Sequence, residues 1–417
     1  MGRVKKRFAR QYAPQICIIL LCSGLPPLSL HAQGQVATGE RPAGSGRTAL
    51  ASKSKKLESF LAETRAKHGL PALWAAKVSL SEGDLSNNLV IAASGVRRAK
   101  ATMPVGDEDL IHLGSCTKAM TATLVAQLIS SGKLDWDSKL LQIFPEVRQL
   151  QDGDWGQVTV RQLLEHRSGA PKDLNWYGIQ REHPNDPIAG RKAVLEWLLA
   201  RKRPAEPRYS YSNIGYCLLG HIVEQVEKQS WEKVIKVKLF IPLEMASAGF
   251  GPVIGQEELS QPWGHQAKSS VAGVVQGLLG GSSKANWEPK RIDNAVPLGP
   301  AGRCHMEMKD WAKFVSLYAS ADPPIDKLGI KKEVWQKLTR TSVESGMRYA
   351  GGWILLDRNW GSGEVLNHAG SNTTWYCVAW VAPKREFFVL VATNCFGSVP
   401  PQACDDVAAE LITSEEY

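Results

Sequence analysis

The sequence lacks the short motifs that most metal and nucleotide sites need. Its nine histidines form neither His-x-His nor His-Glu-x-x-His, and its eight cysteines form no Cys-x-x-Cys pair. A phosphate-binding glycine-rich loop and a Gly-x-Ser-x-Gly elbow are missing as well. These absences argue against zinc hydrolysis, nucleotide chemistry and an α/β-hydrolase. We expect no metal and no cofactor.

The body of the chain also lacks a strong charge and a long apolar segment. The formal net charge is +9, but residues 1–32 contain five basic residues and no acid, which leaves +4 on the rest. Beyond them the sequence has no uninterrupted apolar run of about 18 residues, the length that a helix needs to cross a bilayer. We therefore expect no nucleic-acid partner and no membrane span in the mature chain.

Residues 1–32 have the pattern of an export signal. A basic region ends near Tyr12, an apolar run covers 16–25, and Ala32 supplies a small residue at the cleavage point. The pattern predicts an exported protein, periplasmic or extracellular after cleavage, with an uncleaved anchor as the alternative. Residues 33–52 are rich in small and polar residues, which predicts a flexible linker.

Six cysteines follow the predicted signal. In an oxidising compartment Cys395 and Cys404 could form a bridge, and the sequence leaves the pairing open. Cys116 and Cys217 lie inside apolar helical patterns, which are typical of buried free thiols.

Hydrophobic periodicity predicts strands near both ends of the domain and helices between them. The predicted strands are 73–80, 88–93, 351–357, 364–368, 374–381 and 386–393. The predicted helices are 55–68, 115–131, 160–164, 214–227, 308–318 and 404–411.

We therefore predict an α/β (α+β) fold, with an antiparallel sheet built from both chain ends, flanked by helices, and a mainly helical second lobe at about 114–314. The domain is expected to cover 53–411, followed by a short tail at 412–417. The polar segment 170–189 contains three prolines and is predicted to be a long loop at the rim of the active site.

The strongest local feature is Gly-Ser-Cys-Thr-Lys at 114–118. Residues three apart share a helix face, so Lys118 can present its amine to the Ser115 hydroxyl and act as its base. Ser-x-x-Lys also begins at residues 52, 130 and 230, so the spacing alone says little. Ser115 differs because it begins a strongly apolar helix, where its backbone N–H can donate to a developing oxyanion.

A second block, Tyr211-Ser212-Asn213, lies 96 residues further along the chain. A tyrosine near cations can serve as a base or proton relay. An asparagine offers both a donor and an acceptor to a substrate amide. The alternative is that Tyr211 packs in an aromatic cluster with Tyr209 and Tyr216.

A third block, His368-Ala369-Gly370, ends a predicted strand. In this order the three blocks resemble those of the superfamily that contains class C β-lactamases, penicillin-binding proteins, family VIII esterases and D-aminopeptidases. The resemblance implies a β-lactamase/transpeptidase-like fold. It implies catalytic roles for Ser115, Lys118 and Tyr211, and substrate-binding roles for Asn213, His368, Gly370 and Ser371, with the Ser371 N–H as the second oxyanion donor.

The third block departs from the Lys-Thr-Gly of that superfamily. A histidine is only partly charged near neutral pH, and Ala369 has no hydroxyl, so the grip on a substrate carboxylate should be weaker. We therefore expect a secreted serine hydrolase that forms an acyl-enzyme on an ester or amide, with an esterase or D-amino-acid peptidase favoured over a true β-lactamase.

Two alternatives to this function stay open. One is a class C-like β-lactamase or D-Ala-D-Ala carboxypeptidase, and the other is a catalytically silent binding protein on the same scaffold. The expected partner is a small-molecule ester or amide or a peptidoglycan-type peptide. The sequence does not indicate an oligomeric state.

Overall fold

The computed structural model of the protein describes residues 43–205, 207–255, 257–268, 286–343 and 346–417. The predicted signal and the first ten residues of the predicted linker lie outside the described residues. A helix covers Ala43–His68, so the linker prediction is wrong for residues 43–52. They precede residues 53–68, most of which are good helix formers, in the same helix. Within that part of the helix, Leu57 and Leu61 are fully buried.

Twelve strands occur among the described residues, and the predicted strands at both ends of the domain are among them. They are β1 Ala72–Ser79, β2 Leu89–Gly95, β3 Leu110–His112, β4 Gly249–Phe250, β5 Gly264–Ala267, β6 Trp287–Lys290, β7 Cys304–Glu307, β8 Tyr349–Ala350, β9 Trp353–Arg358, β10 Gly363–Ser371, β11 Tyr376–Ala382 and β12 Phe387–Thr393.

Seven of these strands form one antiparallel sheet in the order β2-β1-β12-β11-β10-β9-β8. The N-terminal strand β1 pairs with the C-terminal β12, with Leu73 opposite Thr393 and Ser79 opposite Phe387. The prediction of a single antiparallel sheet built from both chain ends is therefore confirmed. A smaller sheet joins β3, β7 and β4, and a two-stranded ribbon joins β5 and β6.

The helices of the described residues lie mostly between β3 and β8 in the sequence. They are α1 Ala43–His68, α2 Leu85–Asn88, α3 Thr117–Ser130, α4 Leu140–Ile143, α5 Arg148–Gln151, α6 Val160–Leu164, α7 Trp176–Glu182, α8 Pro187–Leu199, α9 Asn213–Glu227, α10 Trp231–Ile235, α11 Gly299–Gly302, α12 Met308–Ala319, α13 Lys332–Leu338 and α14 Val399–Thr413.

The prediction of a long loop at 170–189 is wrong, because α7 and the start of α8 lie in this segment. Both α7 and α8 have a side-chain cap at the N-terminus. Asn175 accepts a hydrogen bond from the Gly178 N–H, and Asp186 accepts one from the Ala189 N–H. Pro187 then occupies the first turn of α8, where its missing N–H costs nothing.

Both faces of the large sheet are covered. Successive side chains of a strand point to opposite faces. Leu73 of β1 packs in a cluster with Leu57 of α1 and Leu411 of α14, whereas Trp74 packs in a second cluster with Met120 of α3. The sheet is therefore sandwiched between the two terminal helices and the helices of the middle segment.

The six cysteines of the described residues are all buried free thiols. The structure thus has no bridge between Cys395 and Cys404, and Cys116 and Cys217 are buried as predicted. Among the helices that the structure describes, none has both the length and the apolarity required to cross a bilayer.

Candidate active site

Ser115 lies in a short 3₁₀ turn, Gly114–Cys116, that continues directly into α3. Its side chain is half-buried, while that of Lys118, one turn further on, is fully buried. Lys118 Nζ donates a hydrogen bond to Ser115 Oγ over 3.1 Å. The contact that the spacing predicted is therefore present, at the N-terminus of the central helix.

The other three Ser-x-x-Lys copies have ordinary structural roles. Ser52 lies exposed on α1. Lys133 forms an ion pair with Glu227, 2.8 Å away. Ser230 caps α10 by accepting a hydrogen bond from the Lys233 backbone N–H. The Ser115 copy therefore differs from the other three in its side-chain contact between serine and lysine. The other three share only its spacing.

Two further acceptors hold the Lys118 amine. Its Nζ donates to Asn213 Oδ1 over 2.8 Å and to the Ala301 carbonyl over 2.7 Å. The short helix α11 supplies that carbonyl, and Thr121 fastens α11 to α3 by donating to the Pro300 carbonyl. The amine also lies over the Tyr211 ring, 4.9 Å from its centre. The structure thus brings Ser115, Lys118, Tyr211 and Asn213 together, as the sequence predicted.

His166 positions the Tyr211 segment. Its Nδ1 accepts a hydrogen bond from the Ser212 N–H, and its backbone carbonyl accepts one from the Ser210 N–H, so both neighbours of Tyr211 are tied to it. The imidazole also packs against the Tyr211 ring with a centre-to-centre distance of 4.4 Å. Burial, with the nearby Lys118 charge, lowers the pKa of His166 well below its ordinary value. The ring is therefore a neutral acceptor at neutral pH.

Strand β10 has an open edge where it passes Ser115. Its residues 363–367 pair with β9, but 368–371 pair only with β11 among the described strands. The turn at Leu113–Cys116 lies against this edge. A Cβ atom on Gly370 would be 2.0 Å from the Leu113 carbonyl oxygen, and one on Gly114 would be 2.2 Å from the Ser371 nitrogen. Only glycine fits at both positions.

The same close approach places the Ser371 backbone beside the residue that precedes Ser115. The predicted pair of oxyanion donors, the N–H groups of Ser115 and Ser371, therefore belongs to two segments in direct contact. Gly114 also has a φ of +47°, a conformation that favours glycine. This turn aims the start of α3 at the sheet edge.

The His368 side chain points into the interior. It is 3% exposed, and its Nε2 lies 3.0 Å from the Tyr349 hydroxyl. Its Nδ1 donates to the Ala369 carbonyl over 2.7 Å. Burial and the Lys118 charge lower the pKa of His368 to about 3, so the ring is neutral at neutral pH. Its substrate-binding role stays a prediction, and a direct contact would require the ring to leave Tyr349.

The site contains residues that sequence reasoning missed. Asp173 accepts hydrogen bonds from Asn213 Nδ2 over 2.8 Å and from Trp176 Nε1 over 2.9 Å. A buried group beside Gly114 comprises His112, Asp293 and Asn372. No spacing in the sequence relates these three residues, because the fold alone brings them together. His112 offered a weak signal, since it lies three residues before Ser115 between the apolar residues Ile111 and Leu113.

The fold is that of the serine β-lactamase-related superfamily. The model of the Beta-lactamase family matches residues 79–413. The chain belongs to that family.

Individual relatives support this assignment. Penicillin-binding protein 4 of Amycolatopsis lactamdurans is 26% identical over 359 residues, which cover 84% of this chain and 86% of that protein. The octameric penicillin-binding protein homologue from Pyrococcus abyssi has a TM-score of 0.65 at 23% identity, covering 87% of this chain and 78% of its own. The D-amino acid amidase from Ochrobactrum anthropi SV3 has a TM-score of 0.63 at 18% identity, covering 86% and 97%. The two solved structures share the fold of this chain.

Proposed function

We propose that the protein is an exported serine hydrolase that cleaves an ester or amide through an acyl-enzyme on Ser115. The observation that carries the proposal is the 3.1 Å hydrogen bond between Lys118 Nζ and Ser115 Oγ at the start of α3. A serine hydroxyl needs a neighbouring base before it can attack a carbonyl carbon. The basic and then apolar pattern of residues 1–32 supports export.

The surroundings of Lys118 suit a base. A neutral amine has two N–H bonds and one lone pair. Asn213 Oδ1 and the Ala301 carbonyl can only accept, so together they take both N–H bonds. When Lys118 gives up the proton that it directs at Ser115 Oγ, the lone pair left in its place faces the Ser115 hydroxyl and can accept from it. The Tyr211 ring packs beside the amine, and its hydroxyl is the group that we propose relays the proton onward.

The proposed reaction has two half-steps. Ser115 Oγ bonds to the carbonyl carbon while its proton passes to Lys118, and the oxyanion accepts from the N–H groups of Ser115 and Ser371. The bond to the leaving alcohol or amine then breaks, and the leaving group takes the proton. Water attacks the acyl-enzyme in the same manner and releases the acid.

The charges near the site favour a substrate with an amine over one with a carboxylate. The neutral His368 ring is turned inward, whereas the Asp173 carboxylate lies beside Asn213 at the site. An acidic group attracts an ammonium and repels a carboxylate. This preference, together with the amidase among the structural neighbours, favours an esterase or D-amino-acid peptidase over a class C-like β-lactamase or D-Ala-D-Ala carboxypeptidase.

The proposal is tested by covalent labelling. A fluorophosphonate and a fluorescent penicillin are incubated with the wild type, with Ser115→Ala and with Ser52→Ala, which removes the serine of an exposed Ser-x-x-Lys copy. We expect the fluorophosphonate to label the wild type and Ser52→Ala but not Ser115→Ala, because the Ser115 hydroxyl contacts the Lys118 amine whereas Ser52 lies exposed on α1.

Turnover then separates the candidate functions. p-Nitrophenyl esters, D-amino-acid amides, D-alanyl peptides and a chromogenic cephalosporin are compared on the same variants. Faster turnover of esters and D-amino-acid amides than of the cephalosporin supports the proposed substrate class. Equal turnover by the wild type and Ser115→Ala would remove Ser115 as the nucleophile. A wild type that no probe labels and that turns over no substrate would instead be a silent binding protein.

A further inference from the structure

A single buried carboxylate lies between the two segments that carry the oxyanion donors. The Asp293 side chain is 3% exposed. Its Oδ1 lies 2.8 Å from His112 Nε2 and 3.1 Å from Asn372 Nδ2, and its Oδ2 accepts from Arg303 Nε over 3.1 Å. The His112 contact is close but bent, since the ring N–H is directed away from the line to the oxygen.

His112 connects this carboxylate to the Ser115 segment. Its Nδ1 accepts a hydrogen bond from the Gly114 N–H over 3.0 Å. Because Nδ1 accepts, the ring proton lies on Nε2, the atom that faces Asp293. The ring is fully buried. It therefore holds the residue before Ser115 at a fixed distance from the carboxylate.

Asn372 connects the same carboxylate oxygen to the Ser371 segment. Its Nδ2 donates to Asp293, while its Oδ1 accepts from the N–H groups of Thr374 and Trp375 and from the Thr374 hydroxyl. These bonds fix the turn that follows β10. Ser371 is the last residue of β10 and directly precedes this turn.

We propose that Asp293 is a positioning residue that sets the separation of the two oxyanion donors, by holding His112 and Asn372 on one carboxylate oxygen. The proposal rests on the function proposed above. The hydrogen bonds and ion pairs that the Asp293 side chain makes with the described residues do not include Ser115, so we expect it to act through the two backbone segments. Loss of this link would let Ser371 drift from Ser115, and a shift of about 1 Å at such a site costs on the order of 100-fold in rate.

The charge of Asp293 is suited to this task. Burial alone would raise its pKa, but the His112 imidazole, the Arg303 guanidinium and the Asn372 amide outweigh burial and hold the pKa below its ordinary value. An ionised carboxylate accepts at both oxygens and donates at neither. An amide in its place would turn a donor toward Arg303 or toward the two linked segments.

The test compares Asp293→Asn with Asp310→Asn. Asp310 is matched in burial and is also held by an ion pair and by Ser247, but its contacts lie on α12 and just before β4 rather than at Gly114 or Ser371. For Asp293→Asn we expect kcat on a p-nitrophenyl ester and the fluorophosphonate labelling rate to fall together by about 10- to 100-fold, with KM changed less than about threefold. Asp310→Asn should lower the melting temperature but leave both rates unchanged.

His112→Gln provides an independent second variant, because a glutamine whose Nε2 faces Asp293 has no atom at the position of the imidazole Nδ1, which accepts from the Gly114 N–H. In a double-mutant cycle, residues that act through one link lose rate less than multiplicatively. We expect Asp293→Asn and His112→Gln together to lose little more than either alone. If Asp293→Asn does not accumulate as folded protein, a loss of labelling rate by His112→Gln at unchanged KM carries the test.

The possible results separate this proposal from the proposed function. A labelled wild type with an unchanged kcat and labelling rate in Asp293→Asn overturns the role of Asp293 and leaves the hydrolase standing. Multiplicative losses in the double variant also overturn it. A wild type that is neither labelled nor active overturns both proposals.

Discussion

A fully buried lysine needs partners, because an amine or ammonium that loses its water is costly unless hydrogen bonds replace it. Lys118 finds its acceptors on three separate parts of the chain: Ser115, Asn213 and Ala301. The sequence predicted the first contact from helical spacing, whereas it predicted Asn213 as a substrate-binding residue and not as a partner of Lys118. The third is a backbone carbonyl, which no side-chain pattern can indicate.

Other residues of the site were beyond prediction for the same reason. Asp173, Asp293 and Asn372 gain their roles from contacts between residues far apart in the chain, such as Asp173 with Asn213 and Asp293 with His112. His368 was predicted on the right strand, β10, although the strand continues to Ser371. Its inward direction depends on Tyr349, a residue of another strand.

The buried His368 makes stability depend on pH. Its pKa is about 3 in the folded protein against an ordinary value of 6.5, so the unfolded chain binds more protons between these values. Its contribution to stability is complete above about pH 6.5 and is lost as the pH falls toward 3. His166 acts in the same direction. We expect the melting temperature to fall as the pH is lowered from about 7.5 to 4, and to fall less steeply in His368→Gln.

Glutamine is chosen because its amide oxygen can still accept from the Tyr349 hydroxyl but does not titrate. His68→Gln is the control, since this histidine is paired with Asp406 near the surface. Identical pH profiles for the wild type and His368→Gln would contradict the assignment of a buried neutral imidazole.

Among the elements, those with a clear hydrophobic period were predicted well. Strand β12 covers 387–393 where 386–393 was predicted, and α6 covers 160–164 as predicted. The two helices α7 and α8 were missed because prolines and polar residues around them favoured a loop. Their N-terminal caps, Asn175 and Asp186, were the available signal.

The contact between β10 and the Ser115 turn depends on Gly370. An alanine there would place its Cβ 2.0 Å from a backbone oxygen that cannot move without the turn. We expect Gly370→Ala to lower the free energy of unfolding by about 1–3 kcal/mol, as overpacking does, and to reduce fluorophosphonate labelling. Urea unfolding and labelling rates measure the two effects.

Gly106→Ala is the matched control. Its added Cβ would meet no atom within 4 Å, and its φ is outside the region that favours glycine. It should leave both measurements unchanged. If Gly370→Ala were as stable and as reactive as Gly106→Ala, the expected clash would be wrong. The turn at Leu113–Cys116 could then move away from β10 without cost.

At the scale of the whole molecule, the six thiols of the described residues are enclosed by the fold. Burial raises the pKa of Cys217, Cys304 and Cys395, which lowers the population of reactive thiolate. We expect iodoacetamide to modify none of the six in the native protein and all of them in guanidinium chloride. Peptide mapping by mass spectrometry gives the extent at each position. A disulfide-linked peptide, or rapid modification of the native protein, would contradict this arrangement.

Because β1 pairs with β12, the large sheet can be completed only after the C-terminal strand has been synthesised. During translation, Ser115 is added to the chain 256 residues before Ser371. Strand β12, which pairs with β1, is added later still. Non-local pairing of this kind makes folding slow, because a long loop must close before the contacts form. A growing chain therefore holds the proposed nucleophile but not the proposed second oxyanion donor. On the proposed mechanism, it gains activity only when almost the last strand has been made.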